Sequence, residues 1–218
     1  MSGSIDQIRR LLILFPCVYS LNGCCGQPKN SDTCISHFKN ASAAVSSYQE
    51  SNDQQFLSVA LHEVGQSTAC TETRQAAVEL KISLLMLLKE FREAYVYVDS
   101  LNETDFKLKY KKSMWHNYFL ASEYGSQLDT VNEVKYFNEA IRAIQNYIQS
   151  ENKHQGQLDE EAYFDLFNIK KKVATQQQIE TEIDSLKGEY PSKRSYFTGL
   201  KTTLFDIPGQ AKAIADPQ

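Results

Sequence analysis

The sequence predicts an all-α protein built of stacked antiparallel helical hairpins, with about eight or nine helices. Three observations predict it. Apolar residues recur at i, i+3, i+4 and i+7 along most of the chain, the spacing of a half-buried helix. Only five prolines and nine glycines punctuate 218 residues, which favours long helices over many short strands. A short motif also returns. Lys89-Glu90-Phe91-Arg92-Glu93-Ala94 is echoed by Lys135-Tyr136-Phe137-Asn138-Glu139-Ala140, and each copy is read as a helix start.

Composition narrows the classes. At 42% hydrophobic the chain can form a core, and a formal charge of −4 leaves no basic footprint for nucleic acid. No apolar run reaches the roughly 18 residues of a membrane span. The five cysteines, Cys17, Cys24, Cys25, Cys34 and Cys70, lie in the first third and form no paired Cys-x-x-Cys zinc pattern.

The chain opens with Arg9-Arg10 before Leu11-Leu12-Ile13-Leu14-Phe15, a positive region and then a short apolar one, the form of an export signal. It runs into Leu21-Asn22-Gly23-Cys24, which resembles the lipobox of bacterial lipoproteins, although that pattern prefers a small uncharged residue at the place of Asn22. The resemblance implies a signal peptide over 1–23, lipidation of Cys24 and a polar tether over 24–31. It also implies a periplasmic location, anchored to the outer membrane. The alternative is a first helix of a cytoplasmic protein.

A helical domain is then expected over 32–207. Asp32 is read as the cap of a helix to about Glu50, with Ile35, Phe38, Ala41, Val45 and Tyr48 on its apolar face. Ser51-Asn52-Asp53 breaks it and caps a second helix carrying Leu57, Ala60 and Val64. A third opens at Thr71 and is apolar on more than one face, as a central helix would be. The fourth spans Phe91 to Leu101. After Asn102-Glu103-Thr104-Asp105, a fifth runs from Asp105 to Tyr124, with Trp115 as a core anchor. A polar connection leads to a sixth helix from Thr130 or Asn132 to Ser150. Leu158-Asp159-Glu160-Glu161 opens a seventh, with acid at its positive end. An eighth carries Ile179, Ile183 and Leu186, and a ninth spans about Ser195 to Phe205. Residues 208–218 read as a flexible tail.

Antiparallel pairing of the first two helices also yields a disulfide. With the turn centred on residue 52, Cys34 and Cys70 stand equally far before and after it, at one open end of the hairpin.

These hairpins resemble tetratricopeptide (TPR) repeats, units of 34 residues in two antiparallel helices. Phe91, Glu93 and Ala94 match the residues that open the family's second helix, and Phe137, Glu139 and Ala140 match them again. Near Glu160 to Lys193, Tyr163 and Leu166 match first-helix anchors and Pro191 the terminal proline. The likeness covers about 120 residues. Bulky Phe119 and Phe167 stand where the family has a small residue, so the fold is expected to be a TPR-like α-solenoid of irregular geometry. The family's groove positions fall on Phe164, Asn168 and Lys171, and on His116, Leu120 and Glu123. An aromatic beside an amide and an ammonium suits an acidic or C-terminal peptide.

Catalytic patterns are sparse. His62-Glu63 begins like a zincin motif, but position 66 is Gln. Glu160, Glu161 and Asp165 read as a solvated helix face, as do Lys107, Lys109, Lys111 and Lys112. No catalytic, cofactor or metal residue is assigned. The sequence therefore points to a non-enzymatic, protein-binding lipoprotein of the bacterial envelope, an immunity protein against a secreted toxin or an envelope assembly factor. The alternative is a cytosolic TPR-like regulator or adaptor without lipid.

Overall fold

The computed structural model describes residues 29–155 and 158–205. Within them the protein is all-α, with nine α-helices, two single-turn 3-10 segments and no strand. The signal peptide, Cys24 and the tail over 208–218 lie outside the described residues. The chain forms two compact units, Met1–Lys107 and Leu108–Gln218.

The N-terminal unit contains α1 (Lys29–Ser51), α2 (Gln55–Ser67), α3 (Arg74–Leu88), α4 (Phe91–Ser100) and a 3-10 turn at Glu103–Asp105. Each α-helix packs on the next along the chain, and the 3-10 turn returns to α3. The α1–α2 turn pivots on Asn52, whose φ of 56° lies in the left-handed region that asparagine tolerates better than most residues. Asp53 then accepts a hydrogen bond from the Gln55 amide at 2.9 Å, satisfying one orphan donor of α2. The core here is aliphatic and small: Ala41, Ala44 and Val45 from α1 meet Leu57, Ala60 and Val64 from α2, with Ala77, Leu80 and Leu84 from α3.

The C-terminal unit contains α5 (Tyr110–Ser126), α6 (Thr130–Gln155), α7 (Glu160–Lys170), α8 (Gln176–Glu189), a 3-10 turn at Pro191–Lys193 and α9 (Arg194–Phe205). Helix α5 packs along α6, α6 along α7, and α9 against both α7 and α8. Its core is ring-rich, with Phe137, Tyr163, Phe167 and Phe197 among Ile144, Leu166, Ile179 and Ile183. Fully burying one such side chain is worth roughly 1.5–3 kcal/mol. Asp159 caps α7 by accepting from the Ala162 amide at 3.1 Å, and Thr175 and Gln178 form a reciprocal capping box on α8.

Several boundaries and positions differ from the sequence reading, each for a local reason. Helix α1 begins at Lys29, so Lys29, Asn30 and Ser31 are helical and Asp32 sits in the first turn, where its charge suits the macrodipole. Helix α3 begins at Arg74 rather than Thr71, because the Thr73 hydroxyl donates to the Ser67 carbonyl at 2.8 Å and ties the connection to the end of α2. Helix α5 begins at Tyr110 rather than Asp105. The Asp105 carboxylate instead accepts from the Asn102 amide at 2.9 Å and closes the 3-10 turn. The second copy of the recurring motif lies inside α6, which starts five residues earlier at Thr130. The two copies share the fully buried small residue, Ala94 and Ala140, but Phe137 is buried while Phe91 is only half-buried. Trp115 is half-buried too. It stacks on Phe119, centroids 5.5 Å apart, and Phe119 is the ring at the heart of α5. No helix among the described residues is long and apolar enough to cross a membrane.

Candidate functional site

The six residues expected to bind a partner fall on two helical stripes of the C-terminal unit. His116, Leu120 and Glu123 stand at i, i+4 and i+7 on α5, and all are half-buried. Phe164, Asn168 and Lys171 repeat that spacing on α7 and its C-cap, also half-buried. A stripe of half-buried side chains presents part of its surface to solvent while its stems pack on neighbours.

Internal bonds engage these stripes: Glu123 accepts from the Gln127 side chain at 2.9 Å. Asn168 donates to the Phe164 carbonyl one turn back, at 3.0 Å. The Lys171 ammonium donates to the Leu204 carbonyl at 2.6 Å and lies 5.5 Å from the centre of the Phe205 ring. It thus satisfies an orphan carbonyl in the last turn of α9, where a cation also complements the helix dipole. Lys171 reads as an anion receptor in the sequence, but it holds the last described helix in place.

Helices α5 and α7 are joined at the start of α5. Tyr110 donates its hydroxyl to Asp165 at 2.8 Å, and Lys111 forms an ion pair with Glu161. Lys111 is only 8% exposed, so its ammonium is held away from water and needs this partner. Burial, then the Asp165 charge, drives the Tyr110 phenol far above its usual range. Glu161 and Asp165 are therefore interhelical anchors rather than a solvated face, and Lys111 is not a surface cation. Glu160 does stay near the surface, paired with Lys193 at 2.7 Å.

In the N-terminal unit His62 is exposed, and its neighbour Glu63 accepts from His37 at 2.8 Å and from Asn40 at 3.3 Å. Those bonds, the His37 one first, hold the Glu63 carboxyl below its ordinary range. Among the described residues no group of three His, Cys, Asp or Glu side chains is arranged to hold a metal. Cys34 and Cys70 form a disulfide with Cα atoms 6.2 Å apart. It ties the start of α1 to the α2–α3 connection, where Ser67 also donates to the Cys34 carbonyl at 3.2 Å.

Two features escaped the sequence reading. Arg74 grips Asp105 with two donors, at 2.5 and 3.1 Å, and the Tyr97 hydroxyl is buried nearby without a hydrogen-bond partner among the described residues. Burial pushes the Tyr97 phenol up to about 12, and the Lys81 ammonium sits 4.1 Å above its ring. No sequence signal marks a pair 31 residues apart. The second feature is the α5–α6 connection, read as polar. It exposes Leu128, Val131 and Val134 to solvent, and these three apolar residues were already visible in the sequence. No protein-family model, curated protein or solved structure matches this chain.

Proposed function

We propose that this chain is a non-enzymatic protein-binding lipoprotein of a bacterial envelope, which engages a protein partner through a TPR-like surface of stacked helical hairpins. The observation that carries the reading is the Cys34–Cys70 disulfide in an all-helical chain that starts with a lipobox-like Leu21-Asn22-Gly23-Cys24. Disulfides persist in oxidising compartments, so the cross-link supports export, and a cytosolic regulator would gain nothing from it. Packing of each helix on the next within α1–α4 and within α5–α7 supports the repeat reading, because such stacks present extended surfaces rather than one catalytic cleft. Within that class the partner is a secreted toxin, which the chain neutralises, or a component of an envelope assembly.

On the binding surface, Leu120, Glu123 and Phe164 carry the proposal most directly, with His116 and Asn168 beside them. Lys171 contributes through the α9 contact as well as through its charge. Membrane fractionation with mass spectrometry of the N-terminus tests the anchor. An acylated N-terminus at Cys24 in the membrane fraction is expected, and soluble protein retaining Met1 would favour the cytosolic adaptor. Phe164→Ser and Leu120→Ser test the surface. Both should lower capture of the partner without changing helicity, and unchanged capture would remove this face from the proposal.

A further inference from the structure

The turn between α5 and α6 is built against local preference. Its hydrogen bonds form a Schellman motif: the Asp129 amide donates to the Tyr124 carbonyl at 3.0 Å and the Leu128 amide to the Gly125 carbonyl at 3.1 Å. The residue at the left-handed position of that motif is normally glycine. Here it is Leu128, with φ 63° and 87% of its surface exposed. A Cβ is disfavoured in that conformation, and a leucine in water gains nothing from its size. Val131 and Val134 follow on the first turns of α6, 78% and 45% exposed, and Val134 heads the same helical stripe that further along buries Phe137, Ile141 and Ile144. Three large apolar side chains at i, i+3 and i+6 therefore project from one rigid corner.

The corner is held firmly. Asp129 accepts from the Asn132 amide at 3.1 Å and from its side chain at 2.6 Å, which caps α6 and, the side-chain bond first, lowers the Asp129 carboxyl from its ordinary value. Glu133 packs so closely on Gly125 that a Cβ there would meet its carboxylate at 2.7 Å. Glu123 is tied to Gln127 at 2.9 Å in the last turn of α5. Residues 123–135 thus carry three carboxylates, Glu123, Asp129 and Glu133, against one cation. Lys135, the nearest cation along the chain, lies 4.9 Å above the Tyr136 ring. We propose that Leu128, Val131 and Val134 form a docking face for a segment of a partner protein that presents apolar anchors flanked by lysine or arginine. Electrostatic complementarity selects that occupant. A second copy would set acid against acid, and an anionic membrane surface would be repelled by the same carboxylates. The inference rests on the protein-binding reading above but centres the contact on the α5–α6 corner, which shares Glu123 with the α5 stripe.

The test is a selection of displayed random peptides on the purified full-length protein, counter-selected on the Leu128→Gly/Val131→Ser/Val134→Ser variant. Enriched peptides should carry apolar anchors and a net charge of about +2 or more, and added salt should weaken them. They should bind the parent at least about ten-fold tighter than the variant. Leu128→Gly alone should weaken binding and yet lower the unfolding equilibrium constant by about five-fold, because the strained position is relieved. That opposite pair of changes separates a binding role from a packing role. No enrichment over the variant, or enrichment of neutral or acidic peptides, overturns the proposal. So does self-association, or sedimentation with anionic vesicles, that the variant abolishes. Peptides that tolerate the corner substitutions but are lost with Leu120→Ser/Phe164→Ser would overturn the corner and leave the protein-binding reading standing.

Discussion

The N-terminal unit is packed from alanine, valine and leucine and is tied by a disulfide and the Arg74–Asp105 pair. The C-terminal unit is packed from rings, and its helices are tied by Tyr110–Asp165, Tyr147–Asp159, Lys111–Glu161 and Lys170–Glu182. Small side chains bury less apolar area each, so a core made from them gains less free energy per residue. A cross-link that restricts the unfolded chain offsets that deficit. Rings bury more area, but each tyrosine brings a hydroxyl that must find an acceptor when buried. Carboxylates on α7 and at its cap meet that demand for Tyr110 and Tyr147. The two units thus show a covalent and a polar solution to holding helices in register.

The sharpest break of the contrast is Phe167→Ala, which removes a fully buried ring from the C-terminal core. A loss of about 3–5 kcal/mol is expected in denaturant unfolding. A loss under about 1 kcal/mol would mean that the ring core is not what holds this unit. Next is Cys34→Ser/Cys70→Ser. The cross-link spans 36 residues, and the chain-entropy relation gives about 3–4 kcal/mol for it. Reductant should destabilise the parent by the same amount and leave the double variant unchanged. Equal stability of parent and variant would show that the small-residue core is sufficient by itself.

Glu161→Ala should cost about 3 kcal/mol, because it withdraws the carboxylate paired with the buried Lys111 ammonium. Lys111→Met/Glu161→Leu should recover most of that loss. A single variant as stable as the parent would show that Lys111 is satisfied without Glu161. The mildest perturbation is alkaline pH. Tyr110, Tyr118 and Tyr196 in the C-terminal unit, and Tyr97 in the N-terminal unit, have phenols raised chiefly by burial. A raised folded pKa means that the folded state holds the proton more tightly. Stability is then intact below the unfolded value of about 10 and falls as pH rises through the folded values. Titration of tyrosinate absorbance alongside helicity should show the C-terminal unit yielding as its phenols ionise. Ionisation of all tyrosines near pH 10 with helicity intact would contradict their burial.

Much of the local structure was legible in the sequence, because helix signals are short-range. The period of apolar residues marks each helix, and Asn52 and Asp159 end or begin helices through chemistry contained within a few residues. The candidate stripes on α5 and α7 rest instead on the resemblance to tetratricopeptide repeats. Their duties were not legible. Whether Lys171 meets an incoming carboxylate or the Leu204 carbonyl depends on where α9 returns, 33 residues later.

By itself, then, the sequence determined an all-helical chain and, apart from their ends, where its helices lie, since both depend on contacts within a turn or two. Tertiary structure decided which charges are buried and which apolar residues are left in water. Lys111 and Glu161 lie 50 residues apart, and Tyr110 and Asp165 lie 55 apart, so no window of sequence contains both members of either pair. The same holds for Asp105, which could have opened a helix but was taken by Arg74 and the Asn102 amide. Leu128 and Val131 look like any apolar residues near a helix start. Only the tertiary structure decides that they stay in water, 87% and 78% exposed.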